Sequence, residues 1–119
     1  MAGGLTDHLW SWEMAHYLVT ASPREELLQE LRGKLADDEF VTLRPFGRAL
    51  SFSLWQARRL PNGKAMWEEE DYCQPPLAEE RAAVLDRYFD DLSVEPVVEG
   101  TGWALIDALP EVFPDLPRR

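Results

Sequence analysis

The chain has 119 residues, 45% of them hydrophobic and 29% charged, with a formal net charge of −10 at pH 7. That length fits one domain able to bury about two thirds of its unfolded surface, and five Trp, five Phe and three Tyr supply large core side chains, so global disorder is excluded. The acidic excess repels a phosphate backbone, which excludes a nucleic-acid binder, and no apolar run approaches the ~20 residues of a membrane span.

Residues 1–9 have neither the basic nor the apolar region of a signal peptide. Residues 10–20 alternate Trp10, Trp12, Met14, His16 and Leu18 with Ser11, Glu13, Ala15, Tyr17 and Val19, a period of two that predicts the first strand. Ser22-Pro23-Arg24-Glu25 reads as a capping box with proline at the first helical position. The helix it opens places Leu27, Leu28, Leu31 and Leu35 on one face, pairs Glu30 with Lys34, and ends at Asp37-Asp38.

Residues 40–43 form a short β run stopped by Pro45. Residues 49–60 and 64–73 then read as a long hairpin around Pro61-Asn62-Gly63, with Gly63 in the left-handed region. That loop pairs Leu60 with Lys64 and Arg58 with Met66. It puts Leu50, Phe52 and Leu54 on one face, and Ser53, Trp55, Trp67, Glu69, Asp71 and Cys73 on the other.

Pro75-Pro76 opens a second helix with Ala78, Ala82, Leu85, Phe89 and Leu92 as its apolar stripe. Asp90 and Asp91 fall at the end of that helix where the dipole disfavours them. Residues 94–98 read as a strand in which Pro96 demands an edge position or a bulge. Glu99-Gly100-Thr101-Gly102 is a turn, residues 103–106 return as a short strand or start a helix, and the tail with Pro110, Pro114 and Pro117 is irregular.

The predicted order β-α-β-β-β-α-β makes this one α+β domain over residues 1–119, an antiparallel sheet with two helices on one face and an irregular C-terminal extension. It resembles the ferredoxin-like split β-α-β arrangement, a resemblance of element order that carries no function.

Chemistry is sparse. The sheet face opposite the helices carries Ser53, Trp55, Trp67, Glu69, Asp71 and Cys73, and indoles at that density call for cover. The cover is a second copy of the chain, the C-terminal segment with Trp103, Leu105 and Phe113, or a small ligand. The run Glu68-Glu69-Glu70-Asp71 is expected as a solvated face paired with Arg58 and Arg59.

His8 and His16 lie too far apart along a strand to share a metal, and the single cysteine, Cys73, neither completes a zinc site nor forms an intramolecular disulfide. No metal or cofactor is expected, and the thiol usage fits the cytoplasm. Cys73 with His16, or Ser53 with His16 and Asp71, offer residue types for nucleophilic catalysis, but no phosphate loop, nucleophile elbow or metalloprotease motif accompanies them. Asp86 and Asp90, four apart, read as a solvated helix surface beside Arg87.

The expectation is a non-enzymatic binding or interaction module, a homodimer through the Trp55/Trp67 face, with a basic protein as a further partner. The alternative is a small-molecule enzyme using Glu69 or Asp71 on that face as general base.

Overall fold

The computed structural model describes residues 15–71 and 75–117. The predicted β start at residues 10–14, the histidine at 8 and the cysteine at 73 lie outside them. The first strand, β1, spans Ala15–Pro23. Tyr17, Val19 and Ala21 are buried on one side, as alternation requires. Ser22 and Pro23 stay in the strand, opposite Asp90 and Phe89, so the expected capping box does not form.

A 3-10 turn, Glu25–Leu27, leads instead into α1, Leu28–Ala36, where Leu31 and Leu35 are fully buried. Lys34 acts on Glu30 only as a lesser favourable charge and makes its ion pair with Glu39 at 3.7 Å, while the Glu30 carboxylate has closer partners. It accepts from Arg87 at 2.7 and 2.8 Å and from the Tyr88 hydroxyl at 2.5 Å, which ties α1 to the second helical region.

Residues 40–43 are turns, not a strand, and residues 47–55 are helical. This is the largest departure from the sequence expectation. Helix α2, Gly47–Trp55, buries Leu50, Ser51, Ser53, Leu54 and Trp55 while Phe52 stays 50% exposed. Leu50 and Leu54, and Ser51 and Trp55, are also four apart, so the period of two read there is compatible with a helix.

Gly47 makes the entry possible. A Cβ at this position would stand 2.0 Å from the Phe40 carbonyl oxygen, which is backbone and cannot move aside. Gly47→Ala is therefore expected to lower unfolding stability by about 2 kcal/mol or more in urea titration. A change below ~0.5 kcal/mol would show that the close approach is not needed.

The hairpin survives only at its tip. Strands β2, Arg58–Arg59, and β3, Ala65–Asp71, pair with Arg58 opposite Met66, as the Pro61-Asn62-Gly63 turn predicts. The Leu60 N–H donates to Lys64 at 2.8 Å, and Gly63 has φ +90°.

The second helical region, α3, covers residues 78–88 as Ala78–Glu80, a wide π turn Arg81–Leu85, and Asp86–Tyr88. It ends earlier than its stripe suggests, because Phe89 turns extended (φ −136°, ψ 144°) and begins β4, Phe89–Val97. Asp90 and Asp91 are thus strand residues, which removes the conflict with a helix dipole. Asp90 pairs with Arg24 at 2.8 Å. Asp91, at φ +54°, sits where the β1–β4 register slips, an extra residue accommodated as a bulge.

The sheet is four-stranded and antiparallel in the order β2-β3-β1-β4, with Pro96 on an edge strand as expected. The last helix, α4, spans Thr101–Ile106.

The odd-numbered face of β1 and β3 is the core. Tyr17, Val19, Ala21, Ala65 and Trp67 pack with Leu31 and Leu35 of α1 and Val84, Leu85 and Tyr88 of α3. The tail contributes as well. Val112 N–H donates to the Ala57 carbonyl at 2.9 Å, the Pro117 carbonyl accepts from Trp55 Nε1 at 2.6 Å, and Phe113 and Leu116 are buried. Among the described residues no helix is long and apolar enough to cross a membrane.

Candidate functional site

The expected face of Ser53, Trp55, Trp67, Glu69, Asp71 and Cys73 does not form an exposed surface. Ser53 and Trp55 belong to α2, and Trp67, Glu69 and Asp71 point to the side covered by α1 and α3. Trp67 is 0% exposed and Glu69 1%, while Cys73 lies outside the described residues. The physical reason is that residues 49–55 are helical and do not pair with β3, whose long neighbour is β1. With residues 49–55 helical, the side of β3 that joins Tyr17, Val19 and Ala21 of β1 is the apolar one, and it takes Trp67 inward.

The C-terminal segment does supply cover for Trp55, but through Phe113, Leu116 and Pro117; Leu105 is 71% exposed. Nor do Arg58 and Arg59 pair with the acidic run. Arg58 donates to the Asp107 and Leu109 carbonyls, and Arg59 to the Glu25 carboxylate at 2.7 Å. Asp86 and Asp90 are split between Arg81 and Arg24.

The acidic run instead divides by strand alternation into two clusters. Glu68 and Glu70 project to the even-numbered face, opposite Leu18 and His16 of β1. There α4 is pinned to the sheet by one side chain. Glu68 accepts from the N–H groups of Gly100 and Gly102 at 2.8 Å each and of Trp103 at 3.3 Å, doing from the strand what a capping residue does from within the helix. Gly102 permits it, since a Cβ would lie 2.8 Å from Glu68 Oε1 and 3.1 Å from Leu18 Cδ1.

A groove of about 270 Å³ opens beside this anchor, lined by His16, Phe52, Glu68, Glu70, Glu99 and Trp103. The His16 ring lies between two carboxylates, with Nδ1 3.6 Å from Glu68 and Nε2 3.8 Å from Glu99. No known protein family, curated protein or solved structure matches this chain.

The second cluster is interior. Glu69, Asp71 and Glu80 are buried at 1%, 4% and 0% exposure between β3 and the start of α3. Glu69 Oε1 accepts from Trp67 Nε1 at 2.8 Å, and Asp71 Oδ2 accepts from the Leu77 N–H at 2.6 Å. Burial pushes the Glu69 carboxyl well above the usual carboxylate range. Burial, then the Asp71 carboxyl beside it, pushes Glu80 up to about 7. No group of three or more His, Cys, Asp or Glu among the described residues is arranged to hold a metal ion.

Only half of this was accessible from sequence. The run at 68–71 flagged acid chemistry, but the groove's other walls, Phe52, Glu99 and Trp103, come from segments distant in sequence, and no local pattern unites them. From sequence, His16 enters as a catalytic partner for Cys73 or Ser53 and as one of two histidines too far apart to share a metal, not as the wall of a groove.

Proposed function

We propose that this chain is a non-enzymatic binding module that receives a basic segment of a partner protein in the groove between β1, β3, α2 and the start of α4. The observation that carries the reading is the lining itself. Glu70, Glu99 and Glu68 supply negative charge, and Phe52 and Trp103 supply aromatic surface, within one concavity of a chain with net charge −10. An Arg or Lys head group meets carboxylates there while its stem and π-facing surface meet the rings.

The volume, about 270 Å³, lies just under the ~300–1,000 Å³ of small-molecule sites. It therefore suits one or two long side chains better than a free metabolite. Of the two partners expected from sequence, the basic protein is the one with an exposed surface to meet, whereas a dimer through Trp55 and Trp67 needs residues that the subunit buries itself. Burial of Glu69 and Asp71 likewise counts against the enzymatic alternative, because a general base must reach the proton it takes.

The strand order β2-β3-β1-β4, with α1 between β1 and β2 and α3 between β3 and β4, supports the ferredoxin-like arrangement, into which α2 is inserted and to which α4 and the tail are added. The single cysteine supports a cytoplasmic setting.

The test is calorimetric titration with short Arg- and Lys-containing peptides and their uncharged counterparts, at low and high salt. Binding restricted to the cationic peptides, weakened by salt, and reduced about tenfold (~1.4 kcal/mol) by Glu70→Gln with Glu99→Gln is the expected result. Equal binding of both peptide types, or none at low salt, would overturn it.

A further inference from the structure

Two arginines are left over once the polar contacts of the fold are assigned. Every other described arginine holds a carboxylate or a backbone carbonyl, as Arg87 does with Glu30 and Arg58 with the Asp107 carbonyl. Arg44 and Arg48 are exposed and hold neither among the described residues. On a chain with 22 acidic and 12 basic residues, two guanidinium groups without a carboxylate stand out.

They line one cleft. Arg44 and Arg48 stand with Val41, Leu43 and Pro45 around a concavity of about 230 Å³ that has no carboxylate among its described walls. None of the acidic residues at 37–39 lines it: Glu39 pairs with Lys34 at 3.7 Å, and Asp38 lines the next concavity. The backbone holds the walls in place. The N–H groups of Val41, Leu43 and Gly47 donate to the carbonyls of Asp38, Phe40 and Leu43, and the close approach of Gly47 to the Phe40 and Val41 carbonyls seats this loop on the start of α2.

The cleft is continuous with the acidic groove. A concavity of about 390 Å³ between them shares Val41 and Arg48 with the cleft and Phe52 with the groove. Ser51 lines this middle stretch at 3% exposure, and its hydroxyl has no partner among the described residues. Buried hydroxyls are normally hydrogen-bonded, so a chain lying along the track would complete it.

We propose that the Arg44/Arg48 cleft is a second binding site, taking an anionic group, carboxylate or phosphate, on the same partner segment whose cation enters the acidic groove. The inference rests on the groove reading above and narrows the partner to a segment that carries both charges. Two guanidinium forks can share the oxygens of one anionic group, and apolar walls strengthen that attraction by excluding water. The Ser51 hydroxyl meets the backbone that passes between the sites. Ser53, on the groove, and Arg48, on the cleft, are separated along α2 by about 7.5 Å, which an extended chain spans with about two to four residues between its charges.

The test is calorimetric titration at low salt with a peptide carrying Arg and Asp separated by three serines, its Asn counterpart, and a version with phosphoserine in place of Asp. The Asp or the phosphoserine peptide is expected to bind about tenfold tighter than the Asn peptide, and the tighter of the two names the anion. Arg44→Gln with Arg48→Gln is expected to abolish that gain and leave the affinity for the Asn peptide unchanged. Both side chains are exposed and unbonded, so an unchanged urea midpoint confirms that the variant is folded. Equal affinity for all three peptides, or a gain that survives the double substitution, would overturn the proposal. Failure of the groove reading is separable from this. N-acetyl-aspartate amide at millimolar concentration should shift the Arg48 and Ser51 amides of the unaltered chain and not those of the variant. Such shifts without any binding of the Asn peptide would sink the groove reading and keep the cleft, whereas their absence would sink the cleft.

Discussion

Trp67→Ala is expected to destabilise the fold by about 3–5 kcal/mol, the range for removing a fully buried aromatic. Trp67 is 0% exposed, stacks obliquely on Phe89 at 5.1 Å, and sits in the central strand pair with Val19 opposite it. The substitution also strips Glu69 Oε1 of its indole donor at 2.8 Å, leaving a buried carboxyl with less hydrogen bonding than before. Since small domains are stable by only ~5–15 kcal/mol, much of the population should be unfolded at moderate urea where the unaltered chain is folded. A loss below ~1 kcal/mol would mean that Trp67 is not in the core, and would restore the indole to an exposed surface.

The second large effect is expected at Glu68, and it separates stability from binding. Glu68→Ala removes the acceptor for the Gly100, Gly102 and Trp103 amides, two of them at 2.8 Å. Hydrogen bonds to a charged group are worth ~1.5–3 kcal/mol each when they cannot be replaced, and water can reach part of this helix start, so a loss of about 2–3 kcal/mol is expected. Because α4 carries Trp103 and follows Glu99, its release also removes one wall of the groove. Peptide binding should then fall further than for Glu70→Gln with Glu99→Gln, although those variants remove more groove-lining charge. If Glu68→Ala leaves both urea midpoint and peptide affinity unchanged, α4 is held by something other than this carboxylate.

How much of this was legible in the sequence depends on whether the information was local. The Pro61-Asn62-Gly63 turn and the register Arg58–Met66 follow from turn chemistry alone, and they hold. Pro96 on an edge strand follows from its missing donor, and it holds. The Leu31/Leu35 stripe follows from helical spacing and is fully buried.

Residues 47–55 failed because nine residues with Ser and large apolar side chains in alternation satisfy both periods. Tertiary contact decides for the helix, through the close approach of Gly47 to the Phe40 carbonyl. With a helix there, β1 decides which face of β3 is the inner one, and Trp67, Glu69 and Asp71 turn inward instead of forming the expected interface. The end of α3 failed because Phe89 and Leu92 continue the helical stripe on paper, while pairing with β1 draws Phe89 into a strand. The site was legible only as acidic residue types. Alternation correctly splits 68 and 70 from 69 and 71, but which pair faces water depends on the partner across the sheet.

The most direct measurement of the central claim is a two-dimensional amide and indole NMR titration with an Arg-containing peptide at low salt. The account predicts shifts confined to His16, Phe52, Glu70, Gly100, Gly102 and Trp103, including the Trp103 indole N–H, and reversed by added salt. Shifts centred elsewhere, for instance along β4, or a spectrum that does not change, would contradict it.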